Sequence, residues 1–214
     1  MITELFTLLV AFRLLSRSPI AMPKTQVLAE ETMSLNDRYP SSPFVNTVMK
    51  DNILLTLAYM DKPSLTPKEA SQASQRPMQF ALTLRPGEVF AFHDAILPKY
   101  EGKVVGTTNA HFASSEGFKS DGFLFGDGVC HLASLMRLAA QQAGLVVDAP
   151  TSHDFAAIPD IPKQYGVSIY SSPTNRSNSA MQNLYITNPY TQDIQLVVES
   201  NASTINVRIA KRTG

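Results

Sequence analysis

The sequence predicts an α+β domain over about residues 80–210, with a central helix over about 129–144 against an antiparallel sheet and a helical segment before it. Three observations lead there. Leu132, Leu135, Met136, Ala139 and Ala143 recur at steps of three and four, which lines one face of a helix. After it come short strand-like runs at 167–170, 184–187, 194–199 and 204–209, the last three separated by turn-rich clusters. Helix first and meander after is an α+β order, in which helices cover one face of an antiparallel sheet.

From the N-terminus, Leu5 to Phe12 is an apolar run interrupted by Arg13 and Arg17, too short for a transmembrane helix. Val27-Leu28-Ala29 before Glu30-Glu31 has the small and apolar residues of an export-signal cleavage point. Residues 1–29 are therefore expected to be a signal peptide or membrane-proximal segment, with the mature chain beginning near Glu30 in the cell envelope or outside the cell. The competing reading is an amphipathic helix packed on the domain. Residues 30–79 are expected to be a helical preface and linker.

Ser42 can cap a helix and Pro43 suits its first position, with apolar residues at helical spacing from Phe44 to about Met60. That helix is expected to dock outside the domain. Four prolines between 63 and 86 suggest a loop crossing, with Phe80 to Leu84 as its clearest strand. Pro86-Gly87 is a turn, and Glu88 to Phe92 alternates as a half-buried strand. From His93 to Ser120 the chain reads as a long surface excursion, a kind of segment that often carries function. Gly144 stops the central helix, and Leu145-Val146-Val147 is a short strand after it.

Composition narrows the function. The chain has 214 residues, 18 Lys+Arg and 18 Asp+Glu, for zero formal net charge. That balance argues against nucleic acid and against a polybasic lipid-binding patch. One cysteine, Cys130, rules out an internal disulfide framework and a zinc site of several thiolates. Adjacent Cys130 and His131 cannot easily face one ion from a helix, so no metal and no cofactor are expected.

An ordered series of segments resembles the VanW-like family. Leu84-Arg85-Pro86-Gly87-Glu88-Val89-Phe90-Ala91-Phe92 resembles its L-x-P-G-E-x-F-S-F-N opening, and Glu116-Gly117-Phe118-Lys119 its Gly-Tyr segment. Gly126-Asp127-Gly128-Val129-Cys130-His131-Leu132-Ala133-Ser134 is similar to its G-G-G-V-C-Q-x-S-T signature. Ala143-Gly144-Leu145, Ser152-His153 and Asn183-Leu184-Tyr185-Ile186-Thr187-Asn188 follow in the family's order. His93 stands where the family has Asn, Asp127 where it has Gly, His131 where it has Gln, and Ala133 where Ser or Thr is usual. Tyr165-Gly166 falls near an Asp-Ala pair. The resemblance implies a bacterial cell-envelope setting, named after a vancomycin-resistance cluster, and no settled activity.

The chemistry is read from the residues. A cysteine in the first helical turn sees the positive end of the dipole, which favours the thiolate. A histidine on a later strand could serve as its base, with a third group orienting the ring. The order Cys130, helix, strand, His153 resembles papain-like and peptidoglycan-cleaving cysteine peptidases. Asp160 completes the expected catalytic set, with Asp154 and Asn183 as alternatives. Gly126, Gly128, Val129, Phe92, His93 and Phe118 are the expected substrate-binding residues, the amides of Val129 and Cys130 serving as oxyanion donors. His131 is expected to point away from the site and to be dispensable. The other reading of Cys130 is a small buried filler. Two functions follow: a cysteine-dependent enzyme on peptide or amide bonds of peptidoglycan, or a non-catalytic envelope module that binds peptidoglycan or a protein partner.

Overall fold

A computed structural model describes residues 24–122 and 126–213. Its first sheet has the order β1-β8-β7-β2, built from Lys24–Ser34 (β1), Met78–Leu84 (β2), Ile194–Ser200 (β7) and Thr204–Thr213 (β8). Every neighbour in it is antiparallel. The second sheet has the order β4-β3-β6-β5, from Val89–Ala91 (β3), Val104–Gly106 (β4), Val146–Asp148 (β5) and Tyr185–Thr187 (β6). Only the β3–β4 pair is parallel. Four helices complete the chain: Pro43–Asp61 (α1), Pro67–Ala73 (α2), Val129–Gln142 (α3) and Arg176–Met181 (α4). The protein is an α+β fold, with α3 packed on β1, β8, α1 and β5.

The central helix forms where the apolar stripe requires it. Leu132, Leu135, Met136 and Ala139 are completely buried. They join one apolar cluster with Leu196, Val198, Val207 and Ile209 of the first sheet. The turns at 188–191 and 200–203 separate β6 from β7 and β7 from β8. Asn188 ties the first of them down, its Nδ2 donating to Leu84 O at 2.8 Å and Gln192 O at 2.9 Å.

Four expectations are corrected. The stretch from Glu30 is no helical preface, because β1 pairs with β8 from Lys24↔Thr213 to Ser34↔Thr204. The expected boundary after Ala29 falls inside this strand, while the apolar run at 5–12 lies outside the described residues. Nor does α1 dock outside the domain. Ser42 caps it as the sequence suggests, but Ile53, Leu57 and Ala58 belong to the same cluster as α3. The proline-bearing crossing contains α2, started by a reciprocal Thr66–Glu69 capping box. The 93–120 excursion lies mostly at the surface, as expected, and is anchored to the core by buried Ala95, Thr108, Ala110, Phe112 and Phe118. Tyr100 from it stacks on Tyr185 with ring centroids 4.4 Å apart.

The fourth correction concerns 167–170, which is not a strand. Its amides alternate between two kinds of acceptor. Ser168 N donates to Thr151 O and Tyr170 N to Gln182 O, whereas Val167 N donates to Ser134 Oγ at 2.9 Å and Ile169 N to Cys130 Sγ at 3.4 Å. Cys130 and Ser134 lie one helical turn apart on α3, so the helix offers side-chain acceptors in place of a neighbouring strand. Among the described residues, no helix is long and apolar enough to cross a membrane.

Candidate functional site

The N-terminus of α3 opens onto a cleft of about 510 Å³, within the range of pockets that enclose a small ligand. Gly126, Asp127, Gly128, Val129, Cys130 and His131 form one wall. Opposite elements contribute Arg38, Met49, Phe112, His153 and Ile169, with Tyr39, Phe155 and Tyr170 also on the lining. These last three are exposed aromatic side chains, Phe155 most of all at 79%.

Local sequence explains the wall. Gly128 caps α3 with φ +92°, and a Cβ there would lie 2.7 Å from Met49 O of α1. Only glycine lets the two helices approach this closely. Asn52 of α1 holds the preceding loop. Its Nδ2 donates to Lys119 O and Asp127 O, and its Oδ1 accepts from Lys119 N at 2.8 Å. A fully buried amide in an aliphatic helix is thereby satisfied.

The cleft brings Cys130 and His153 to one lining, together with Gly126, Gly128 and Val129. The Cys130 sulfur is engaged by the Ile169 amide. Burial is the largest influence on the thiol and pushes its pKa up to about 11, against backbone hydrogen bonds from Ile169 and its own amide. The rise of two units above 9.0 corresponds to roughly 2.7 kcal/mol against the thiolate. A helix dipole offers about 0.3–1 kcal/mol at an ordinary terminus, so desolvation wins. The expected depression of the thiol pKa is overturned. The amide of Val129 is no free oxyanion donor either, since it donates to Gly126 O at 3.1 Å.

Asp160 does not orient His153. It accepts from Ser34 N at 3.0 Å and pairs with the guanidinium of Arg38. Phe92, His93 and Phe118 are not on the cleft lining. Phe92 is core between Phe90 and Phe112, and Phe118 packs on Tyr59 and Phe112. The His93 ring is buried, with Nε2 at 3.0 Å from Gln182 O and Nδ1 accepting from Ala95 N at 3.3 Å. Asn183 also serves this loop, its Nδ2 donating to His93 O and Ala95 O.

His131 is the reverse case. Instead of pointing away, its ring meets that of His153 edge to face, centroids 6.2 Å apart. Phe155 covers His153 from the other side at 4.0 Å. A histidine at 131, beside the lone cysteine at the start of the helix, was the available signal. No local signal marked Arg38, whose burial depends on Asp160 and Pro159, more than a hundred positions away. Among the described residues, no group of three or more His, Cys, Asp or Glu is placed to hold a metal ion.

Burial lowers the His131 pKa to about 3, reinforced by the positive charge of Arg38 and by His153. Because the folded value lies below the ordinary histidine value of 6.5, the stability tied to neutral His131 is complete above pH 6.5. It is lost as pH falls from there toward 3. The loss reaches about 2 kcal/mol by pH 5. Urea unfolding at pH 7 and pH 5 measures it, and His131→Asn should flatten the difference by about that amount; an unchanged slope would refute the assignment.

Compared with protein-family models, curated proteins and solved structures, the chain matches none of them.

Proposed function

We propose that the protein is a VanW-like module of the bacterial cell envelope that binds the peptide part of peptidoglycan in this cleft, without thiol chemistry. The observation that carries the reading is the burial of the Cys130 sulfur, which pushes the thiol pKa up to about 11 although Ile169 N donates to it. A nucleophile needs its thiolate and a base within reach. Here the thiolate is disfavoured, and His153 Nδ1 has no hydrogen-bond partner. What favours binding is the cleft itself: an enclosed wall, an apolar lining from Met49, Phe112 and Ile169, and exposed aromatic side chains at its edge. Exported placement, with a membrane tether through the N-terminal segment, belongs to the same proposal and rests on the apolar run at 5–12.

Two measurements test it. Native protein should react with iodoacetamide about a hundredfold more slowly than a free thiol, following the two-unit rise in pKa. The protein should also sediment with purified peptidoglycan, and do so equally well as Cys130→Ala, but less well as Phe155→Ala. Rapid alkylation together with loss of peptidoglycan cleavage in Cys130→Ala would restore the enzyme reading. Failure to sediment would remove the binding reading.

A further inference from the structure

We infer that one wall of the cleft is a carboxylate-binding site, in which Arg38, His131 and His153 receive the anionic end of a bound peptide. The inference rests on the binding reading above and specifies its ligand chemistry. Three nitrogens on this one lining, Arg38 Nε, His131 Nδ1 and His153 Nδ1, are buried without a hydrogen-bond partner. Their residues are 1%, 5% and 6% exposed. A buried polar atom left unpaired costs on the order of 1–3 kcal/mol, so three along one wall is a concentration that a ligand oxygen would relieve.

The rest of the guanidinium is already committed, which fixes the direction left open. Arg38 Nη1 donates to Pro159 O at 3.0 Å and to Met33 Sδ at 3.4 Å, while Nη2 pairs with Asp160. Nε alone is free to accept a further partner. Beside it stands the N-terminal turn of α3, a helix of 14 residues whose positive end favours an anion.

Charge counting selects the class of anion. Asp160 offsets Arg38, and burial keeps both imidazoles neutral by lowering their pKa values. The wall therefore offers hydrogen bonds from a guanidinium and two neutral imidazoles, a complement to a monoanion and a poor one to a doubly charged phosphate. Asp160 is paired with Arg38, Asp154 acts on His153 and Asp127 on Cys130, whereas the charges acting on His131 are those of Arg38 and His153. Met49, Phe112 and Ile169 provide the apolar surface for the body that carries the carboxylate.

The test varies the ligand, which leaves the fold untouched. The full chain, labelled with 15N at histidine, is titrated with N-acetyl-alanyl-alanine, with its C-terminal carboxamide, and with inorganic phosphate. The free acid should bind at least tenfold more tightly than the amide and shift the ring nitrogens of His131 and His153, assigned with His131→Asn and His153→Asn. Equal binding of acid and amide, or binding that leaves both rings unmoved, overturns the carboxylate site. So does a response to phosphate alone, or no binding of any of the three. Sedimentation with peptidoglycan is read in parallel, and its persistence would show that the site has failed while the binding module stands.

Discussion

Leu135→Asp is expected to cost more than about 4 kcal/mol, enough to unfold most of a typical domain. Leu135 is completely enclosed, and its cluster spans α1, α3 and the first sheet. No cation is available within that cluster of apolar side chains to pair with a new carboxylate. The substitution therefore combines a cavity with an unpaired buried charge, or forces the carboxylate to remain protonated. Gln142→Glu, on the exposed end of the same helix, should stay within about 0.5 kcal/mol. Urea midpoints of the two variants at pH 7 decide the matter. A loss below 1 kcal/mol for Leu135→Asp would mean that the stripe does not face the core.

That helix was legible because its signal is local: five apolar residues at one spacing and a glycine at the stop. The strands β2, β7 and β8 were legible for the same reason. Between residues 167 and 170 the local pattern misleads. Its alternating amides are satisfied by Ser134 and Cys130 rather than by a strand, and that arrangement depends on residues more than thirty positions away. At β1, Val27-Leu28-Ala29 carries the small apolar character of a cleavage site and of a strand alike; only the β8 partner distinguishes them. The α2 capping box, Thr66-Pro67-Lys68-Glu69, is a local helix-start signal, but Pro63, Pro67 and Pro77 around it carry the stronger signature of a loop.

The site was legible as a location and not as a chemistry. Glycines flanking the start of α3 pointed correctly to a close approach there, and Cys130 and His153 do line one cleft. Whether a helix-terminal thiol becomes a nucleophile depends on the balance of dipole and desolvation. Desolvation comes from how the rest of the chain packs around the sulfur, which sequence order does not place. The same holds for His131, whose environment comes from Arg38 and His153 rather than from its neighbours in the chain.

Gly128→Ala should cost about 3 kcal/mol and disturb the cleft together with the fold. Two effects add. A non-glycine residue at φ +92° is strained by about 1 kcal/mol or more. The new Cβ would also lie 2.7 Å from Met49 O and 2.8 Å from Met49 Cα, which are backbone atoms and cannot rotate away. Relief requires α1 and α3 to separate, an overpacking penalty of about 1–3 kcal/mol. Gly102→Ala isolates the first effect, since φ there is +73° with nothing within 4 Å of the added carbon; it should cost only about 1 kcal/mol. Because Met49, Gly128 and Val129 all line the cleft, separation of the helices would displace its wall, and sedimentation with peptidoglycan should weaken in Gly128→Ala but not in Gly102→Ala. Equal costs for the two variants in urea unfolding would place the α1–α3 contact elsewhere. A large cost with undiminished binding would detach the cleft from this contact.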